Sequence, residues 1–572
     1  MDADGKMFPD AASKPHLGSA LFAASSGLLF GYDLGLVQGA IHSIREHLEL
    51  SNAMIDVVVA AAKIGAVFGP FMAGYLMSKL GRRAALVGGA FFFFLGPIVM
   101  AMSQVEAKGL DMLVGRFLVG LGIGQCSVVV PAYLGETTPA SCRGFVVELY
   151  EVSLVFGMIL SSAVDYLLSG IPSDWRYMVG VPAIPGFLLM IGPWFLPESP
   201  RWLVAQNREK EALEVLHKIR HAPGSVVDDR STPEVENELL EIWSDVKRVE
   251  ASEEEVSRKN TARFSSRSLA GGASAASGST RAEDEGQVNE IEPTTSGEGS
   301  GSSVKGIEIE HANGDLREEN VGCWAQCKNW CAELMHGPEK NAVRAALGLA
   351  IFNQFSGSTA VTNYAVEVLR EIGLTDNKKG ILLSSGISFA KLLGIVVSMF
   401  LVDGVVGRRP LLIGGGLGMS SCMVLLTIGI EMASIPLVII AESLYMLSFA
   451  VSWAGIFWVL MSEIFSMKIK AVAVSVATSV LFAGGAIANI LYHVLLKKGG
   501  PLFGLFFALV SLLSSAFVYV YVPETKGKSL KEVQKMFQSL SPYGVFKKAN
   551  LSPAEGQRLI DDRTPKSSNG AY

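Results

Sequence analysis

Residues 76–103 read LMSKLGRRAALVGGAFFFFLGPIVMAMS. A basic turn, Gly81-Arg82-Arg83, is followed by Ala84–Ser103, a run with no charged side chain. At 1.5 Å per residue, a helix of about 20 residues spans about 30 Å, the hydrocarbon thickness of a bilayer. A second apolar run, Ile55–Met77, precedes the turn. The stretch therefore predicts two spanning helices joined by a tight basic loop. Similar runs occur at Leu17–Ala40, Met112–Leu134, Phe145–Leu168 and Tyr177–Leu196. After a polar gap come Val343–Leu369, Ile381–Val402, Leu411–Ile430, Leu437–Met461, Ala471–Leu496 and Leu502–Val522. Gly and Pro inside such runs are tolerated in membranes. The expected fold class is an all-α membrane protein with twelve transmembrane helices in two six-helix halves, joined by a cytosolic helical linker.

Composition agrees. Of 572 residues, 50% are hydrophobic and only 18% charged, with mean hydropathy +0.37; a soluble chain carries about a quarter charged residues. The net charge of −6 sits largely in the central polar segment and gives no reason to expect a nucleic-acid partner. Six scattered cysteines make no disulfide framework. Cys323, Cys327 and Cys331 are spaced along one face of a short helix without zinc-ligand spacing, and read as inert or lipid-modified thiols. No phosphate-binding loop, metal constellation or nucleophile–base pair is present, so neither an enzyme activity nor a metal or cofactor is expected.

The expected organisation is a polar N-terminal tail (1–16), a first half (17–203), a linker (204–341), a second half (342–522) and a C-terminal tail (523–572). Within the linker, Glu211–Arg220 and Pro233–Lys247 are patterned as amphipathic helices, while 252–320 is Ser/Gly/Glu-rich and reads as disordered. No cleavable signal precedes the first run, so the first helix is expected to direct insertion. Short-loop Lys and Arg counts are balanced between the two sides. The basic residues flanking the gap and in the tail (Arg201, Lys210, Arg344, Lys526, Lys528, Lys531) place both termini and the linker in the cytosol.

The chain also repeats itself. Gly81-Arg82-Arg83 recurs as Gly407-Arg408-Arg409 and Pro197-Glu198-Ser199 as Pro523-Glu524-Thr525, each at an offset of 326 residues. Glu136 recurs as Glu463 at 327, each followed seven residues later by a base, Arg143 or Lys470. Several landmarks at one spacing imply two homologous six-helix halves. Both start on the same side, so they are parallel repeats about an axis along the membrane normal.

Read together, the landmarks resemble the sugar porter family of the major facilitator superfamily. They are Phe30-Gly31-Tyr32-Asp33, Gly115-Arg116-Phe117, Gly135-Glu136, Arg143-Gly144 and Pro197-Glu198-Ser199-Pro200-Arg201-Trp202-Leu203 in the first half. In the second they are Asn353-Gln354-Phe355-Ser356-Gly357, Asp403 with Gly407-Arg408-Arg409, Ser462-Glu463-Ile464-Phe465 and Pro523-Glu524-Thr525-Lys526-Gly527. Glu151 stands where most members carry a sugar-binding Gln, and Lys391 where many have Asn; both look like the class-three facilitative hexose carriers. The resemblance implies alternating-access transport of a monosaccharide such as glucose, with protons as the coupled ion.

On that resemblance, Asp33 and Arg116 are the proton-coupling carboxylate and its partner. A buried acid alternating between solvated and Arg-paired states gives such coupling physically; the bland alternative is a permanent structural pair. Gln354 is expected to hydrogen-bond the sugar, with Asn353, Thr359 and Thr362 beside it. Trp458, Phe482 and Phe30 are expected to supply aromatic walls. Glu151 and Lys391 belong to opposite halves and are read either as a pair made in one access state or as separately solvated groups. Arg82, Glu136, Arg143 and Glu198, with Arg408, Glu463, Lys470 and Glu524, are read as a cytosolic gate clamping the halves together. Lys63 is read as snorkelling to the nearer surface rather than pairing with Asp33 or Glu151, and Glu442, at the repeat position of Arg116, has no assigned role.

Some positions depart from the family pattern. Asn353-Gln354 replaces Gln-Gln, Gly357-Ser358-Thr359 replaces Gly-Ile-Asn, and Leu481 stands at an Asn position. Ser78 replaces an Asp of the first basic loop, weakening that ionic latch, and the prolines usual around Ala454–Phe457 are absent. The altered ligands keep three rivals open: a facilitative carrier of a polyol, inositol or dehydroascorbate, an organic-acid carrier, and a transporter-like nutrient sensor. The plasma membrane is favoured over an organelle membrane, and no residue pattern sets an oligomeric state.

Overall fold

In the computed structural model the apolar runs become helices, because a backbone in hydrocarbon must satisfy its own hydrogen bonds. The structure describes residues 16–139, 142–168, 171–220, 235–244, 334–335, 337–374, 377–404, 406–498, 500, 502–528 and 530–538. They belong to a unit made of 1–246 and 330–572. The sequence-predicted disordered insert and the Cys323, Cys327 and Cys331 cluster lie outside the described residues.

The first half comprises α1 (His16–Ala24), α2 (Ser26–His47), α3 (Asn52–Ala101), α4 (Leu110–Thr137), α5 (Arg143–Leu168), α6 (Asp174–Gly180) and α7 (Ala183–Ile191). Two polar helices, α8 (Pro200–Ala205) and α9 (Glu209–Arg220), and a further helix at 235–244 follow. The second half comprises α10 (Lys340–Phe355), α11 (Ser358–Glu371), α12 (Asn377–Val402), α13 (Arg408–Glu431), α14 (Ile435–Phe449), α15 (Gly455–Glu463), α16 (Met467–Lys498) and α17 (Leu502–Tyr521). The amphipathic α18 (Leu530–Gln538) comes after it.

Ten stretches among the described residues are long and apolar enough to cross a membrane. One of them, Val57–Ala101, is two spans run together at the basic turn, where Gly81 takes φ +89°. The broken pair α10–α11 supplies another span, giving the twelve of a major facilitator fold. Gly407 adopts φ +92° at the matching place, and both positions need a residue without a Cβ. Large apolar side chains such as Phe71, Ile184, Phe195, Leu502 and Tyr519 are exposed on the outer surface, as a lipid-facing belt requires.

Two structural differences from the sequence expectation have local causes. The run Val343–Leu369 is not one helix: it breaks at Ser356 and Gly357, where Gly357 takes φ +96°. The run Leu437–Met461 bends without proline, through a π-helical turn at Ala450–Ala454. A π turn misaligns the backbone ladder locally and serves the purpose of the absent prolines.

The halves meet where α3 packs on α16 and α5 on α12, with α15 laid against α4 and α5. The halves also touch at the end of the bundle bearing Arg82 and Arg408, here the motif end. There a Cβ on Gly135 would stand 2.8 Å from Ser462, and one on Gly144 2.7 Å from Asp403. The motif end is closed.

Candidate functional site

The duplicated motifs fold into duplicated networks. In the first half the Arg82 guanidinium donates to Glu136 (Nη2–Oε1 2.9 Å) and to the Met77 carbonyl (3.2 Å). Ser199 Oγ donates to the other Glu136 oxygen (2.6 Å), and the backbone N–H groups of Arg82 and Arg83 donate to Glu198 (2.9 and 3.2 Å). In the second half Arg408 donates to Glu463 (3.0 Å) and Val402 O (3.0 Å), and Thr525 donates to Glu463 (2.8 Å). The N–H groups of Arg408 and Arg409 donate to Glu524 (3.1 and 2.9 Å). Burial pushes the Glu198 carboxyl above its ordinary range, and the N–H groups of Ser199, Arg82 and Arg83 pull it back.

The eight gate residues thus divide by geometry. Arg82, Glu198, Arg408 and Glu524 knit each half internally. The bridges between halves are Lys470 to Glu136 (3.5 Å), with Arg143 as the charged neighbour of Glu463. Asp403, from the second half's loop, adds another bridge across the halves: Oδ1 accepts from Arg408 (2.8 Å) while Oδ2 accepts the Phe145 N–H of α5 (2.8 Å). Ser78 makes no such bridge; its hydroxyl donates to Tyr75 O on its own helix.

Above the motif end, towards the middle of the bundle, the polar residues of the two halves converge. Asp33 of α2 and Arg116 of α4 form a buried ion pair. Lys63 is half-buried, with the Arg116 guanidinium as a charged neighbour. Glu151 of α5 is the hub between halves: Oε1 accepts from Trp458 Nε1 (2.7 Å), and Oε2 lies 4.0 Å from Lys391 Nζ. Lys391 also lies over the Phe449 ring at 5.9 Å. Of the two readings of Glu151 and Lys391, the structure shows the pair.

The helix break at Gly357 assembles the neighbouring amides. Ser356 and Ser358 donate to the Asn353 carbonyl (3.0 and 2.9 Å), and Asn353 Nδ2 donates to Trp453 O (3.0 Å). Gln354 donates to Asn353 Oδ1 (3.1 Å) and accepts from Thr359 Oγ1 (2.7 Å). Thr359 stands 326 residues from Asp33, so a hydroxyl occupies the second half's counterpart of the acid. Thr362 is not joined to Gln354; its hydroxyl donates to Ser358 O (3.2 Å). Phe30 and Phe482 meet edge to face across the halves, centroids 5.9 Å apart. Trp458 is packed on Tyr150 (5.9 Å) and Phe457 (4.9 Å). Amides, hydroxyls, aromatic rings and one ion pair gathered where the two halves meet are group types that recognise a small polyhydroxylated molecule.

One acid of this region, Glu148, lies outside the motif pattern. Glu148 lies one turn before Glu151, fully buried, and accepts from Ser398 Oγ of α12 (2.8 Å). Its signal was plain: an acid inside an apolar run needs a partner or a role. Glu442 is also fully buried, and neither of its oxygens has a hydrogen-bond partner.

Comparison with known proteins agrees with this arrangement. The sequence profile of the family described as "Sugar (and other) transporter" matches residues 19–273 and 304–537. The chain is 28% identical over 521 residues to a glucose transporter, GlcP, of Staphylococcus epidermidis, covering 90% of this chain and 95% of that protein. It is 28% identical over 547 residues to "Probable polyol transporter 6" of Arabidopsis thaliana, covering 93% and 96%. Among solved structures it superposes on the proton:xylose symporter XylE bound to 6-bromo-6-deoxy-D-glucose, with TM-score 0.69 and 24% identity over 91% of this chain and 99% of that one. The inward-open XylE of E. coli matches with TM-score 0.58 and 23% identity, over 91% and 99%. The family is one of transporters rather than enzymes, and its members are integral multi-pass membrane proteins. This chain belongs to the sugar transporter family and has the major facilitator fold.

Proposed function

We propose that the protein carries a monosaccharide, a hexose such as glucose, by alternating access, in symport with protons, across the plasma membrane with its motif end in the cytosol. The observation that carries the reading is the buried Asp33–Arg116 pair, one turn along α2 from Phe30, whose ring meets Phe482 of the second half. In the closed-motif-end state the carboxylate is stabilised by Arg116, with Lys63 adding positive charge nearby. A proton on Asp33 removes that attraction and leaves two neighbouring cations unbalanced. The pair then separates more readily, and the halves rock around the substrate. Proton and sugar thereby bias the same equilibrium, which is what symport requires.

The similarity to a glucose transporter and to a proton:xylose symporter supports a sugar substrate. A second reading, a polyol, is favoured by the Glu151–Lys391 pair, whose charged ends suit a flexible chain of hydroxyls as well as a ring, and by the polyol transporters among the relatives. Counterflow of radiolabelled glucose in proteoliposomes, competed by hexoses, pentoses, sorbitol and inositol, tests the substrate. Competition by hexoses supports the first reading; competition by sorbitol or inositol alone replaces it with the second.

A further inference from the structure

Glu148 projects from α5 of the first half into the second. It is 0% exposed, and among the described residues its carboxyl accepts one hydrogen bond, from Ser398 Oγ at 2.8 Å. Its other oxygen, Oε2, is buried with no partner. A Cβ built on Gly455 of α15 would stand 2.7 Å from the Glu148 Cγ and 2.9 Å from Oε1, so the side chain lies flush against a bare patch of helix. No room is left there for a hydration shell.

The charged groups around it offer no counter-ion. Glu151 on its own helix and Asp403 after α12 carry the same sign. Arg408 at the start of α13 is engaged by Asp403 (2.8 Å) and Glu463 (3.0 Å). Lys391 on α12 pairs with Glu151. An ionised carboxylate taken out of water with a single hydroxyl donor is penalised by several kcal/mol, and such groups take up a proton instead.

We propose that Glu148 is a proton-binding site in the interface between the halves, occupied while the motif end is closed and emptied when it opens. Ser398 and Gly455 belong to the second half and Glu148 to the first, so separation at this end withdraws both from the carboxyl and admits water. The proton then leaves the carboxyl oxygen for solvent on the motif side, and the carboxylate stays hydrated until the halves close. This site is distinct from Asp33, which pairs within one half. The inference rests on the alternating-access reading above but not on Asp33 as the coupling group.

Linkage fixes the expected behaviour: if opening releases one proton, the open-to-closed ratio rises with pH, approaching about tenfold per pH unit where the site is occupied only in the closed state. The experiment uses the full-length protein in nanodiscs, with spin labels replacing the exposed Lys79 and Val406 on opposite halves at the motif end. Their distance distribution is read from about pH 5 to about pH 9 in the wild type, Glu148→Gln, Ser398→Ala and Asp33→Asn. The wild type is expected to open progressively with pH. Glu148→Gln is expected to stay closed and lose that step, since the amide mimics the protonated acid. Ser398→Ala keeps the acid and is expected to keep the step at a shifted midpoint, and Asp33→Asn to keep the Glu148 step while losing gradient-driven uptake. A wild-type pH response in Glu148→Gln overturns the proposal. A motif end closed at every pH in all four proteins contradicts alternating access, and the proposal with it.

Discussion

Lys470 of α16 holds its Nζ 3.5 Å from Oε1 of Glu136 on α4, and this ion pair fastens the second half to the first at the motif end. Glu136 does not depend on it, being held already by Arg82 and Ser199. Lys470→Met therefore removes a bridge without leaving an orphaned carboxylate. The closed state should lose about 1–3 kcal/mol, the worth of a hydrogen-bonded charge contact, shifting the population toward opening by about 5- to 150-fold. The distance between labels at Lys79 and Val406 reads the shift, and an unchanged distribution would show the bridge to be idle.

The two basic loops should respond unequally. Asp403 holds Arg408 and, across the interface, the Phe145 N–H, each at 2.8 Å. Asp403→Asn weakens both contacts and should open the motif end and lower the thermal midpoint. Ser78 is exposed and its hydroxyl bonds its own helix at Tyr75 O, so Ser78→Ala should change stability by no more than about 0.5 kcal/mol. Thermal unfolding of the two variants in detergent compares them directly.

Glu151 joins Trp458 at 2.7 Å and Lys391 at 4.0 Å, so the three should behave as one unit. Glu151→Gln leaves Lys391 as a buried cation without its counter-ion, and Lys391→Met leaves the acid so. Each alone should weaken substrate binding, and the double variant should recover part of the loss. A coupling energy of about 1–3 kcal/mol in a double-mutant cycle on substrate Kd is expected. Additive effects would mean that the two are independently solvated.

At Gly357 the chain takes φ +96°, and an added Cβ would stand 3.1 Å from the Phe507 ring. Gly357→Ala forces an L side chain into the left-handed region, at a cost of about 1–2 kcal/mol. Because the break places Ser356 and Ser358 on the Asn353 carbonyl, the variant should raise KM for substrate as well as lower the thermal midpoint. A lowered midpoint with an unchanged KM would separate the break from the site.

Much of this arrangement was legible in the sequence because duplication is a statement about geometry. Arg82 with Glu198 and Arg408 with Glu524 repeat at one offset, and the structure gives both pairs the same backbone hydrogen bonds. What the offset could not say was direction: whether these charges faced across the interface or into their own half, a matter of packing rather than spacing. Helix breaks were hidden for a similar reason. Apolar periodicity runs unbroken through Gly357 and Ala450–Ala454, and only backbone geometry shows the turn and the π bulge. Glu148 belongs to no repeated motif, and only packing shows that it faces Ser398 of the other half.

The central claim is that proton movement drives uptake through Asp33. The direct measurement is radiolabelled glucose uptake into proteoliposomes, with and without an inward proton gradient, by the wild type and Asp33→Asn. The account predicts accumulation above equilibrium only with the gradient in the wild type, and equilibrative exchange without accumulation in the variant. Gradient-driven accumulation that survives Asp33→Asn, or uptake by the wild type that ignores the gradient, would contradict it.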